Sequence, residues 1–156
     1  HDVGHVSRPG TVSVDHLCRV EEHPGLVHLV SDVSGRLRPG TSWRDLLDAS
    51  FPPGSVSGAP KHTALLAIAD LEPVGRGPYC GAVGWIDIDR DEAELAVGIR
   101  TFWVARDGDG RRVLRFGTGA GITWGSDAQG EWAETELKAA RLVALAEGEA
   151  PARAKV

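Results

Sequence analysis

The chain has 156 residues, 42% of them hydrophobic, and a formal net charge of -5, which suits one globular domain with a sizeable core. Its basic residues are not clustered and no apolar run approaches membrane-spanning length, which argues against nucleic acid and membrane as partners. The two cysteines, Cys18 and Cys80, stand far apart without metal-ligand or redox spacing, and with no signal peptide at the start they read as reduced thiols of a cytoplasmic protein. The chain opens on His1 and contains no methionine, so it reads as a piece of a longer protein.

In chain order, Thr11 to Val14 and Leu17 to Val20 read as short strands. A longer strand is expected from Gly25 to Val33, after a turn at His23-Pro24-Gly25. Within it His28 shares a face with Leu26 and Val30; a lone histidine on such a face is more often a hydrogen-bonded core residue than a catalyst. Thr41-Ser42 caps a helix beginning at Trp43, which Phe51-Pro52-Pro53-Gly54 ends. A second helix follows the segment Ser55 to Lys61, with Ala64, Leu65, Ile68 and Leu71 at helical spacing and a stop near Glu72-Pro73. Its Ser/Gly-rich start and Lys61 would suit an anion, although ordinary capping by Ser57 is the more common reason for such a start.

Tyr79 to Ile88 reads as a strand, Asp89 to Glu92 as a turn, and Glu94 to Val104 as the returning hairpin strand. On that strand Leu95, Val97 and Ile99 fill one face while Ala96, Gly98, Arg100 and Phe102 fill the other, so Arg100 is expected to be buried beside small residues. A buried guanidinium needs an anionic partner, either a protein carboxylate or a ligand carboxylate. The space expected beside Ala96 and Gly98 favours the ligand.

Asp107-Gly108-Asp109-Gly110 turns the chain into a last strand in which Gly117, Gly119 and Gly121 alternate with Phe116, Thr118, Ala120 and Ile122. One face of it is nearly bare, which fits a bulge or a place where something touches the backbone closely. Ser126-Asp127 then caps a helix running to about Glu147. Glu131, Glu134 and Lys138 lie along one side of this helix. They form either a solvated face with a Glu134–Lys138 pair or, as two carboxylates one turn apart, ligands for a hard cation such as Mg²⁺. No dinucleotide fingerprint, phosphate loop, nucleophile elbow or zinc spacing is present.

Seven segments in order resemble the chorismate-utilising enzymes: Val27 to Ser31, Gly54 to Lys61, Leu71-Glu72-Pro73, Arg76 to Gly84, Ile99-Arg100-Thr101, Gly119 to Ile122, and Glu131-x-x-Glu134-Thr135-x-x-Lys138-Ala139. The family includes anthranilate synthase component I, aminodeoxychorismate synthase component I, and isochorismate and salicylate synthases. The resemblance implies an α+β fold in which antiparallel sheets are layered with helices. It also implies that residues 1–156 are the C-terminal portion of a chorismate-binding catalytic domain whose N-terminal half is absent from this chain. His1 to Val6 resembles the end of the family's Arg-Asn-Asp-Leu-Gly-Arg motif, with His1 and His5 as departures.

By motif position, the resemblance implies that Arg100, Tyr79 and the backbone of Gly119, Ala120 and Gly121 hold the carboxylate and enolpyruvyl groups of chorismate. Glu134 with Glu131 would bind Mg²⁺ at the ring carboxylate. Lys138, Ser55 and Lys61 would line the same site, and His28 would stand beside the ring as hydrogen-bond donor or acid/base. Chorismate is a dianion that loses a hydroxyl, so cations, amide donors and a metal suit its reactions. Ser55, Cys80 and the segment Gly117 to Trp124 resemble aminodeoxychorismate synthase, which replaces the 4-hydroxyl by ammonia and retains the pyruvyl group. The alternative is anthranilate formation, in which amination at C2 is followed by loss of pyruvate. Either reaction implies ammonia delivered by a glutamine amidotransferase subunit or domain. A reading of a different class is a non-catalytic chorismate-binding fragment.

Overall fold

The computed structural model describes residues 1–23 and 26–148, and the chain divides into two compact units, the first ending at Gly54 and the second beginning at Ser55. Both combine helices with antiparallel strand pairs, as the α+β expectation requires. The pairs are three two-stranded sheets among the described residues.

The first unit holds helix α1 (Asp2–Val6), the hairpin β1 (Ser13–His23) and β2 (Leu26–Ser34), and helix α2 (Trp43–Ser50). The two short strands expected at its start are one strand. Register shifts between Val14 and His16 and between His16 and Arg19 each insert one extra residue into β1, and such bulges break the alternation by which a strand is read from sequence. At the second bulge Cys18 takes a positive φ of 50°, and its N–H donates to Ser31 Oγ at 3.0 Å. Pro24 and Gly25 of the expected turn lie outside the described residues. Behind the hairpin, Arg8 N–H donates to Arg36 O at 2.7 Å and Arg38 N–H to Val6 O at 2.9 Å. Gly35 permits this closure, because a Cβ there would lie 2.3 Å from Ser7 Oγ. Helix α2 begins with a capping box in which Asp45 N–H donates to Ser42 Oγ while Ser42 N–H donates to the Asp45 carboxylate.

The second unit runs from the short helix α3 (Gly54–Ser57) through α4 (Lys61–Leu71), the hairpin β3 (Ala82–Asp87) and β4 (Glu92–Val97), and the hairpin β5 (Thr101–Arg106) and β6 (Arg112–Gly117), to α5 (Ala128–Ala146). Both hairpin turns are built on an aspartate: Asp87 Oδ1 accepts from Asp89 and Arg90 N–H, and Asp107 Oδ1 from Asp109 and Arg111 N–H. Asp127 caps α5 by accepting from Gly130 N–H at 2.8 Å.

Three expectations are corrected. The strand read from Glu94 to Val104 is two strands, broken at Gly98-Ile99-Arg100, where Arg100 adopts a positive φ of 47°. The glycine-faced strand ends at Gly117, and residues 118–123 are irregular. The sizeable core is also not found: among the described residues the buried apolar side chains are Val6 and Cys80, whereas Leu17, Leu29 and Leu137 are exposed. Two-stranded sheets leave both faces open unless another layer covers them.

Candidate functional site

The site is built on the turn Arg76-Gly77-Pro78-Tyr79-Cys80-Gly81, which leads from α4 into β3. Tyr79 N–H donates to Arg76 O and Gly81 N–H to Pro78 O, both at 3.1 Å. The turn is then bound to the far end of β4, with Cys80 N–H donating to Gly98 O and Gly98 N–H to Gly81 O, both at 2.8 Å. Only glycine fits at 98, since a Cβ would lie 2.6 Å from Pro78 O. The space left by Gly98 is therefore filled by backbone, which corrects the expectation that it admits a ligand beside Arg100.

The bare face of Gly117 and Gly119 has a similar explanation. A Cβ on Gly117 would lie 2.5 Å from Tyr79 Cδ2, and one on Gly119 would lie 2.8 Å from the Tyr79 hydroxyl. The tyrosine ring lies against the glycine backbone, while the Cβ direction of Gly121 is open. Burial, reinforced by the neighbouring Cys80, pushes the Tyr79 phenol up to about 12, so it is a neutral hydrogen-bonding group at physiological pH.

Helix α5 reaches the same backbone. Lys138 Nζ donates to Gly119 O at 3.4 Å and forms an ion pair with Glu134 one turn earlier. Glu131 is tied at the start of the helix, where Ser126 Oγ donates to its Oε1 at 2.5 Å. Among the described residues no group of three or more His, Cys, Asp or Glu could hold a metal ion. Glu131 and Glu134 do fit as part of a hard-cation site. Each presents two carboxylate oxygens, one taken by Ser126 or Lys138, and Mg²⁺ accepts one or two protein carboxylates with its other positions left to water and substrate oxygens.

Thr101 pairs with Gly117 across β5 and β6, so Arg100 stands one residue outside this pair, at the end of the hairpin from which the Gly119 segment leaves. It is exposed, not buried as expected, because the break after Val97 takes it out of the strand pattern. No carboxylate of the described residues pairs with it.

The structure thus gathers Tyr79, Gly119, Glu134 and Lys138, with Arg100 at the adjoining strand end. Ser55 is exposed in α3, and Lys61 is the first, half-buried residue of α4. That helix has Pro60 as its N-cap residue. Ala120 is half-buried in the irregular segment. His28 belongs to the first unit; it is exposed on β2 opposite Glu21, with its ring 5.4 Å from that of His23, and is not the core histidine that its apolar face predicted.

The residues that sequence reasoning passed over are Glu72 and Arg76. The Arg76 guanidinium is bidentate on Glu72, with Nη2 to Oε1 at 2.6 Å and Nε to Oε2 at 3.0 Å. Its Nη1 donates to Val56 O at 3.0 Å and approaches Cys80 Sγ at 3.5 Å, and its Cζ lies 5.7 Å from the Tyr79 ring centroid. The i, i+4 spacing was the available signal, although here the pair spans the end of α4.

Fold and site define an α+β protein in which cationic side chains and a close-packed tyrosine gather around a glycine backbone. A family model described as chorismate binding enzyme matches residues 1–144. The chain belongs to this family of chorismate binding enzymes. It is 44% identical over 138 residues to anthranilate synthase component 1 of Saccharolobus solfataricus, covering 88% of this chain and 31% of that protein. With the protein of the same name from Streptomyces coelicolor it shares 43% identity over 153 residues, 97% of this chain and 29% of the other. The crystal structure of anthranilate synthase component I from Streptococcus pneumoniae TIGR4 matches with a TM-score of 0.70 at 36% identity, over 88% of this chain and 30% of that one. The chain therefore spans about a third or less of the length of these relatives. No helix among the described residues is long and apolar enough to cross a membrane.

Proposed function

We propose that this chain supplies the chorismate-binding part of an enzyme of the anthranilate synthase component 1 type. The observation that carries the reading is the meeting of Tyr79, Lys138 and Glu134 at the Gly119 backbone, with Arg100 at the adjoining strand end. In this reading Arg100, exposed and without a carboxylate partner among the described residues, takes one carboxylate of the chorismate dianion. The Tyr79 hydroxyl, held neutral by burial, donates a hydrogen bond. Lys138, already on Gly119 O, balances charge as the hydroxyl leaves. Ser55, Lys61, Ala120 and Gly121 supply the further polar and backbone wall, and by its motif position His28 would be the hydrogen-bond donor or acid/base.

Glu131 and Glu134 would hold Mg²⁺, which when bound supplies positive charge at the ring carboxylate. The reaction adds ammonia at C2 of chorismate with loss of the 4-hydroxyl as water, and then eliminates the enolpyruvyl group as pyruvate to leave anthranilate. A glutamine amidotransferase subunit or domain would supply the ammonia, in keeping with relatives that are named as component 1. The names of the relatives favour this product over aminodeoxychorismate, which Ser55 and Cys80 had favoured by resemblance.

The test incubates a full-length protein that carries this chain with chorismate, Mg²⁺ and ammonia and identifies products by mass. Anthranilate and pyruvate in equal amounts are expected. An aminated chorismate that keeps its pyruvyl group would overturn the reading in favour of aminodeoxychorismate synthesis, and chorismate bound but unconsumed would favour a non-catalytic binding fragment.

A further inference from the structure

Arg76 has no role of its own in the proposed reaction, yet it is the most heavily bonded side chain around the Tyr79 turn. Its five donors reach three places. Two nitrogens grip Glu72 at the end of α4, Nη1 donates to Val56 O beside Ser55 in α3, and the same Nη1 lies 3.5 Å from the buried Cys80 Sγ. Its charge also stands over the Tyr79 ring at 5.7 Å. The hydrogen bonds from Arg76 hold the Glu72 carboxyl below its usual range, and Glu72 in turn holds the guanidinium above its own.

We infer that Arg76, gripped by Glu72, is a positioning residue that presses the Tyr79 ring against the Gly117–Gly119 backbone and fixes Ser55 and Tyr79 relative to each other. The inference rests on the reading of Tyr79 and Ser55 as chorismate ligands. A planar fork with five fixed donors can grip a carboxylate with two nitrogens and still reach two further partners, and a lysine with three donors cannot. The Tyr79 hydroxyl already meets the Gly119 backbone, so a small rotation of the ring would displace the very group proposed to donate to the substrate.

Tyr79 is the only tyrosine of the chain, which makes the inference directly readable. Absorbance near 295 nm reports its ionisation alone, with far-UV circular dichroism recording that the protein stays folded. With the phenol at about 12, about 3% is ionised at pH 10.5; at its ordinary value of about 10 the fraction is about 75%. If Arg76 positions the ring, Arg76→Ala frees it into solvent, the ionised fraction at pH 10.5 rises at least about tenfold, and chorismate binding weakens about 10-fold, as for other supporting residues. If Arg76 acts only as a positive charge near the phenol, its removal lowers the ionised fraction instead, and the inference fails. Arg76→Lys, which keeps the charge but not the fork, is expected to behave like Arg76→Ala. Glu72→Gln serves should the Arg76 variants not fold; loss of the Glu72 charge alone raises the ionised fraction slightly, so release of the ring is read only from a rise of at least about tenfold, and a smaller rise overturns the inference. An unchanged fraction in both Arg76→Lys and Glu72→Gln overturns the inference. Tyr79→Phe separates it from the underlying reading: unchanged chorismate affinity in that variant removes Tyr79 from the substrate site, while the titration still decides whether Arg76 places the ring.

Discussion

The hairpin of β1 and β2 and the turn around Tyr79 each carry a residue proposed for the site, and they hold it by opposite means. His28 sits on a strand whose neighbours are those of a plain antiparallel ladder, with side-chain pairs such as His16–Asp32 and Arg19–Glu21 in water. Tyr79 is held by residues far along the chain: Gly98 fixes its turn, Gly117 and Gly119 receive its ring, and Arg76 stands over it. The first arrangement tolerates change because each contact is local and solvated. The second does not, because each contact is a close approach without a substitute.

The sharpest way to break that contrast is Gly98→Ala. The added Cβ would meet the Pro78 carbonyl at 2.6 Å, and backbone cannot swing aside, so about 3 kcal/mol of stability should be lost, measured by urea unfolding. Gly121→Ala, with open space in the Cβ direction, should stay within about 0.5 kcal/mol. Equal losses at the two positions would mean that the close packing of the Tyr79 turn does not hold the unit together.

Arg100→Ala tests the ligand side of the same region. A charged hydrogen-bonding partner is worth about 1.5 to 3 kcal/mol, so chorismate affinity measured by calorimetry should fall by about that amount while the unfolding midpoint stays put, since Arg100 is exposed and unpaired with any described carboxylate. A fall in stability with unchanged affinity would make Arg100 structural.

In the first unit the expected effects are smaller. Ser42→Ala removes one half of the capping box of α2 and should cost about 1 kcal/mol, read from thermal unfolding. Acidification should loosen the Tyr79 turn by way of Glu72. Its folded carboxyl is lowered by hydrogen bonds from Arg76 from a usual 4.5, so its contribution is fully present above that value and lost as pH falls through the lowered one. In the Glu72→Gln variant this acid-side loss should vanish, and a loss of the same size would assign it to another carboxylate.

These differences in scale follow what the sequence made legible. Local chemistry was readable: the capping of α2 by Ser42 and of α5 by Asp127, the aspartate and glycine turn at 107–110, and the Glu134–Lys138 pair all depend on neighbours within a few residues. The ordered motifs carried the family. What the spacing could not convey was the occupant of each glycine's empty space. Gly98 reads as room for a ligand, whereas the space belongs to Pro78; Gly117 reads as a bulge or a surface that something touches closely, and what touches it is Tyr79. Arg100 was read as buried, because a break at a non-glycine residue with positive φ leaves no trace in an apolar alternation. Arg76 stands four residues from Glu72 and from Cys80, but its bond to Val56 O and its place over the Tyr79 ring exist only after folding.

The smallest effect is expected at Asp32. It faces His16 at 3.0 Å and Arg19 at 3.8 Å, with each of the three side chains about half exposed. Exposed pairs of this kind contribute between nothing and about 1 kcal/mol and are screened by salt. Asp32→Ala should therefore change stability by less than about 0.5 kcal/mol, and 1 M salt should erase the difference between variant and parent. A salt-resistant loss above about 1 kcal/mol would show that these charges work in a low dielectric, and hence that the β1–β2 face is covered in solution as the Tyr79 turn is covered by its own chain.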